Sequence, residues 1–187
     1  MQARLRQLAG RLPDDPSPGP GRQAAVAIIM RGEEVLLMRR IERPGDRWSG
    51  QVSLPGGHRD ACDESLLGTA IRETQEEVLL DLERDADFLG CLPGMQARAG
   101  GGRLPMWITP FLFLETGSNQ PQAGPEAAGT FWLPLERAHT GEFDETFHWT
   151  ASDGLRHALP SWRFEEHVIW GMTHHLLGQL NRELFLP

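Results

Sequence analysis

The run Arg72-Glu73-Thr74-Gln75-Glu76-Glu77 carries three carboxylates at helical spacing. At about 100° per residue, Glu73, Glu76 and Glu77 fall within an arc of roughly 100°. As a solvated acidic face, such a cluster weakens its own helix by a few tenths of a kcal/mol per like-charged pair. Turned toward one point, it offers the oxygen ligands that Mg²⁺ prefers when it bridges protein carboxylates to substrate phosphates. Gly56-Gly57 shortly before it lets the backbone approach the same place. The functional reading of this set is a magnesium site beside a bound phosphate, where more than one metal ion could bind once phosphate loads.

Composition narrows the alternatives. The chain has 187 residues and a net charge of −8. All 18 basic residues are Arg, and Tyr is absent. With no Lys there is neither a Schiff-base amine nor a P-loop lysine, so bound phosphate must be held by Arg, backbone N–H groups or a metal. Arg39, Arg40 and Arg47 are candidates because guanidinium pairs phosphate oxygens in a planar fork; Arg43 and Arg59 are weaker ones. Trp48 is a candidate to stack on a base. The acidic balance argues against a nucleic-acid polymer as partner. No apolar run approaches the ~18 residues of a membrane span. Two cysteines, Cys62 and Cys91, form neither a disulfide framework nor a zinc site, which suits free thiols in a reducing cytoplasm. Residues 60–87 hold ten acids and two arginines, which accounts for the whole net charge.

The elements that must position these groups read as follows. A short helix over 3–12 leads into a Pro/Gly-rich linker; the N-terminal unit is 1–23 and the main domain 24–187. Ala24–Met30 and Val35–Met38 read as strands around a turn at Gly32, Gln51–Leu54 as a short strand, and Pro55-Gly56-Gly57 as a break. A helix over 63–79 is expected, N-capped by Asp63, with Leu67, Ala70, Ile71, Thr74 and Val78 as its apolar stripe. Phe88–Leu92 reads as a strand and Gly94–Gly102 as a mobile loop or hairpin tip, a candidate lid. Met106–Leu114 reads as the strongest strand, with Pro110 suggesting an edge or a bulge. Thr130–Leu133 is a further strand with a short helix after Pro134. A terminal helix is expected over Phe164–Leu180, where Ile169, Met172 and Leu176 are core positions. Strands with a mid-chain and a terminal helix predict an α/β sandwich around a mixed sheet.

The stretch Gly57-x6-Glu64-x7-Arg72-Glu73-Thr74-x-Glu76-Glu77-x-Leu79-Leu80 resembles the Nudix box, G-x5-E-x7-R-E-U-x-E-E-x-G-U with U apolar. One residue is inserted before Glu64, Thr74 stands at an apolar position, and Leu79 replaces the usual Gly. The flanks Gly50-Gln51-Val52-Ser53-Leu54-Pro55-Gly56-Gly57 and Asp60-x2-Asp63 are similar to the coenzyme A pyrophosphatase-like branch, with Trp48-Ser49 and His58 as departures. The resemblance implies a Nudix-type α/β/α sandwich with a mixed sheet. It also implies Mg²⁺ (or Mn²⁺) held by Glu73, Glu77, Glu76 and the Gly57 carbonyl, with Arg72 orienting the carboxylates and Glu64 structural. Arg40, Arg47, Trp48 and Gln51 would meet the substrate, a small-molecule diphosphate. The expected reaction is hydrolysis of a diphosphate bond in a nucleoside diphosphate derivative, coenzyme A or its acyl forms being one candidate. ADP-ribose or another dinucleotide is the alternative, and a catalytically idle nucleotide-binding module the third. The base that takes the water's proton stays open among Glu73, Glu76, Glu115 and Glu126. The terminal helix, the N-terminal helix or an edge strand could each mediate a homodimer.

Overall fold

The structure is a computed structural model that describes residues 1–17, 19–46, 48–99, 102–150 and 154–185. Its elements are α1 (Gln2–Ala9), β1 (Arg22–Arg31), β2 (Glu34–Arg40), β3 (Val52–Ser53), β4 (Gly56–His58), α2 (Leu66–Val78), α3 (Leu82–Asp85), β5 (Ala86–Cys91), β6 (Met95–Ala99), β7 (Gly102–Glu115), β8 (Ala127–Pro134), α4 (Leu135–His139), β9 (Asp144–Thr150), β10 (Arg156–Phe164), β11 (His167–Trp170) and α5 (Gly171–Phe185). The main sheet runs β3-β2-β1-β7-β5, with β4 paired to β1, β6 to β7 and β8 to β2. β1 and β7 are parallel from Arg22↔Met106 to Met30↔Leu114, while β2 and β5 join antiparallel, so the sheet is mixed.

β1 reads as an unbroken apolar run because both of its faces are buried. Ala25, Ala27 and Ile29, with Leu36 and Met38 of β2, face Leu66, Ala70 and Val78 of α2. Ala24, Ile28 and Met30 face the opposite layer, where Leu5 and Leu8 of α1 pack with Leu176, Leu177, Leu180 and Leu184 of α5. This is the expected α/β/α sandwich. No helix among the described residues is long and apolar enough to cross a membrane.

Several expectations are corrected. α2 is capped by Ser65, whose Oγ accepts from Gly68 N at 3.0 Å, so Asp63 lies outside the helix. The Pro55–Gly57 break continues into a strand, β4. For Gly94–Gly102 the hairpin alternative holds, since β6 and the start of β7 pair antiparallel; Gly100 and Gly101, the middle of the candidate lid, lie outside the described residues. Met106–Leu114 belongs to an interior strand, β7, not an edge. Pro110 is accommodated where the partner along one edge of β7 changes from β5 to β6, and its carbonyl accepts from Leu92 N at 2.9 Å.

Phe164–Trp170 is not helical. It holds the end of β10, a turn with Glu165 at φ +53°, and β11, which makes a three-stranded sheet with β10 and β9. Val168 and Ile169 satisfied a helical spacing by coincidence: a four-residue strand is too short to display its own period of two.

Candidate functional site

The carboxylates occupy one side of α2, where the helix passes beside β4. Gly56 N donates to Glu77 Oε2 at 2.9 Å. A Cβ on Gly57 would lie 2.4 Å from Glu73 Oε1, so this carboxylate rests directly against the bare glycine. The glycine pair therefore serves close approach, as its sequence suggests.

Glu77 is the deepest of the three, its side chain 3% exposed. Burial pushes its carboxyl up to about 7, with Glu73 and Glu126 adding to the rise and the Gly56 N–H and Arg40 opposing it. Burial also raises Glu73, against the pull of Arg72. Glu76 is 58% exposed. Arg72 reaches both, Nη1 lying 3.0 Å from Glu73 Oε1 and 3.3 Å from Glu76 Oε2, and its Nη2 donates to the His58 carbonyl at 3.2 Å.

The acid that holds Arg72 from the far side is Asp63. Arg72 Nε lies 2.8 Å from Asp63 Oδ1, and Nη2 lies 2.9 Å from Oδ2. Asp63 Oδ2 also accepts from Asp60 N and Thr69 Oγ1, each at 2.9 Å. These contacts, led by Arg72, hold the Asp63 carboxyl well below the usual carboxylate range. Glu64, the expected structural acid of the box, is exposed, and its backbone carbonyl accepts from Arg59. The inserted residue thus moves the structural role to Asp63. The signal for this was the Asp60-x2-Asp63 spacing.

The other end of α2 brings in the remaining acid. Leu79 takes the left-handed conformation usual for a helix-ending glycine, at φ 52° and ψ 33°. Gln122 N and Gly124 N then donate to the Val78 and Glu77 carbonyls, at 2.9 and 2.8 Å. A Cβ on Gly124 would meet the Glu76 carbonyl at 2.0 Å, so only glycine lets this loop dock. Docking carries Glu126 to the carboxylates, and Ile41 N fixes it by donating to the Glu126 carbonyl at 3.0 Å.

A cavity of ≈ 360 Å³ opens beside Glu73 and Glu77. Arg40, Trp48, Gln51, Gly57 and Glu126 line it, so the structure brings together most of the expected substrate and metal residues. Arg47 lies outside the described residues. Arg39 pairs with Glu42, and Arg43 with Glu126. Glu115 is removed as a candidate base: Arg31 pairs with it, and it lines neither this cavity nor the neighbouring cleft. That acidic cleft holds Arg72, Glu76 and Leu79, and shares Asp60, Glu73, Glu77 and Glu126 with the cavity.

The apolar wall was missed by sequence reasoning. Met106 and Ile108 of β7, Trp170 of β11 and Met172 and Leu176 of α5 line the cavity. Met172 and Leu176 read from sequence as core positions alone; their helical spacing shows that they face inward, not that a cavity meets them there.

Acids from α2 and from the 116–126 loop converge beside the bare glycine backbone at Gly57, a set of carboxylate and carbonyl oxygens whose chemistry suits a divalent cation. Among the described residues, no three His, Cys, Asp or Glu side chains are already arranged around one point. Arg40 and Arg72 hold the acids instead.

Residues 21–153 match the NUDIX domain family. The chain is 30% identical over 168 residues to the uncharacterized Nudix hydrolase NudL of Photorhabdus laumondii, covering 87% of this chain and 85% of that one. To NudL of Citrobacter koseri it is 31% identical, covering 85% and 81%. Among solved structures, an Ap4A hydrolase of C. elegans in a binary complex superposes with a TM-score of 0.51 at 25% identity, over 64% of this chain and 84% of that one. With the match spanning most of the chain and bracketing the carboxylate helix, the protein belongs to the Nudix family and is a Nudix hydrolase.

Proposed function

We propose that the protein hydrolyses a diphosphate bond in a nucleoside diphosphate derivative, using Mg²⁺ or Mn²⁺. The observation that carries this reading is the shared lining: Glu73, Glu77 and Glu126 border the same cavity as Arg40, Trp48 and Gln51. A group that ligates a cation and a group that grips phosphate therefore meet at one place.

Glu73 and Glu77 would be the principal ligands, with Glu76 and the Gly57 carbonyl completing the set. A cation held there would neutralise phosphate oxygens and lower the pKa of the attacking water. Arg72, anchored by Asp63, keeps Glu73 and Glu76 aimed by charge-assisted bonds. Arg40 offers a guanidinium to the phosphates. Glu126, which lines both cavity and cleft and comes from outside α2, would take the water's proton. Trp48 and Gln51 would contact the part of the substrate beyond the phosphates.

The apolar wall of Met106, Ile108, Trp170, Met172 and Leu176 supports coenzyme A or an acyl form over ADP-ribose, since a second ribose would find few polar partners there. The test is a panel of coenzyme A, ADP-ribose, NADH and nucleoside triphosphates with Mg²⁺ or Mn²⁺, read by released phosphate-bearing products. Coenzyme A should be cleaved with the highest kcat/KM. Preference for ADP-ribose would reverse the substrate assignment, and cleavage of none would make this a binding module.

A further inference from the structure

We propose that Arg40 is an internal counter-cation of the carboxylate cluster, that it yields Glu77 when a divalent cation binds, and that the freed guanidinium then grips the substrate's phosphate. This rests on the metal-dependent reading above. The argument begins with how loosely Arg40 is held. Its Nη1 lies 3.5 Å from Glu77 Oε1, and its Nη2 lies 3.3 Å from Asp46 Oδ2 and 4.0 Å from Glu126 Oε2. Charge-assisted pairs committed to structure sit at about 2.7–2.9 Å, as the two Arg72–Asp63 contacts do at 2.8 and 2.9 Å. Arg40 Nε is buried and has no hydrogen-bond partner among the described residues. The guanidinium is thus placed by the summed field of three acids from three segments rather than by a fixed geometry.

Glu77 supplies the reason for a placeholder. A carboxylate this buried needs a cation nearby to carry charge, and Arg40 stands beside it. A divalent ion makes the same neutralisation more strongly and at shorter range, so it competes with Arg40 for Glu77. Arg40 already lines the cavity, so its release requires rotation of its own side chain and no movement of the strand.

The exchange also reaches the substrate wall. Asp46, the other acid on Arg40, accepts from Trp48 N through Oδ1 at 2.9 Å. Arg43 of the same loop holds Glu126 Oε1 at 3.1 Å. When Arg40 leaves Glu77, the loop that presents Trp48 loses one of its ties to α2. Arg40 is accordingly a positioning residue in the metal-free protein and a substrate-contacting one in the loaded protein.

The experiment is Mn²⁺ binding to the full chain without substrate, followed by electron paramagnetic resonance at pH 8, for the wild type, Arg40→Gln and Arg40→Lys. Removing the competing cation should tighten Mn²⁺ binding by about tenfold in Arg40→Gln, and KM for the cleaved diphosphate should rise by a similar factor. A merely structural arginine would not tighten metal binding when removed. Arg40→Lys keeps the charge and loses the fork, so its Mn²⁺ affinity should stay within about twofold of wild type while KM rises. Equal or weaker Mn²⁺ binding by a folded Arg40→Gln overturns the proposal and leaves the metal reading intact. If Arg40→Gln does not fold, an unchanged KM in Arg40→Lys overturns it. Failure of the wild type to bind Mn²⁺ removes the metal reading, and this proposal with it.

Discussion

Arg72 holds Asp63 in a two-point ion pair, Nε to Oδ1 at 2.8 Å and Nη2 to Oδ2 at 2.9 Å. This pair ties the segment before α2 to the helix and leaves Arg72 Nη1 to face Glu73 and Glu76. The Asp63 carboxyl is depressed in the folded protein, so its ionised form contributes stability above the ordinary carboxylate pKa. That contribution is lost as pH falls below about 4 toward the folded value. Asp63→Asn should lower stability at neutral pH by about 2 kcal/mol and flatten the acid limb of the unfolding-midpoint curve. A curve that keeps its wild-type acid limb would assign the slope to other groups.

Glu77→Gln removes the charge of a proposed metal ligand from a buried position whose carboxyl is already costly to ionise. Turnover should fall by about a hundredfold or more, the scale of losing one preorganised charge. The thermal midpoint without metal should stay level or rise, because the amide needs no counter-cation. Metal-saturated kinetics beside a melting curve would check both halves; wild-type turnover would refute the ligand role.

Gly57→Ala inserts a methyl 2.4 Å from Glu73 Oε1. The carboxylate is the end of a flexible side chain and can move, so folding should survive. Mn²⁺ affinity should weaken about tenfold and kcat should drop with it, since ligand displacement is felt by both. Unchanged metal affinity would show that Glu73 binds from another rotamer.

Leu79 is 47% exposed and sits in left-handed conformation. A side chain there costs roughly 1–2 kcal/mol, and glycine gives back about half of that in unfolded-chain entropy. Leu79→Gly should therefore stabilise the protein by up to about 1 kcal/mol, read from urea unfolding. A destabilised variant would mean that Leu79 makes contacts worth more than the strain.

Glu126 and Glu115 separate by location. Glu126→Gln should reduce kcat by about 10²–10⁴-fold with KM little changed, as loss of a general base does. Glu115→Gln should leave kcat near wild type, because its partner is Arg31, away from the cavity. Equal kcat losses in the two would remove Glu126 from the base role.

The placement of Glu73, Glu76 and Glu77 on one side of a helix was legible in the sequence, because helical periodicity is local and three or four residues fix which side chains are neighbours. So were the need for glycine at Gly57, the absence of lysine chemistry, and the sandwich itself, which follows from β1 being apolar on both faces beside an amphipathic helix. Where the local signal was short it failed, as at Val168 and Ile169, whose strand identity depends on pairing with Trp162 and Arg163 across a turn. What only the tertiary structure decided were the partners that arrive from elsewhere in the chain: Arg40 and Glu126 at Glu77, Trp170 and Met172 on the cavity wall, and Glu115 turned away toward Arg31. Those meetings are set by sheet order and by loops docking on exposed backbone groups, such as Gly124 on the end of α2. Neither leaves a periodic trace in the residues that it brings together.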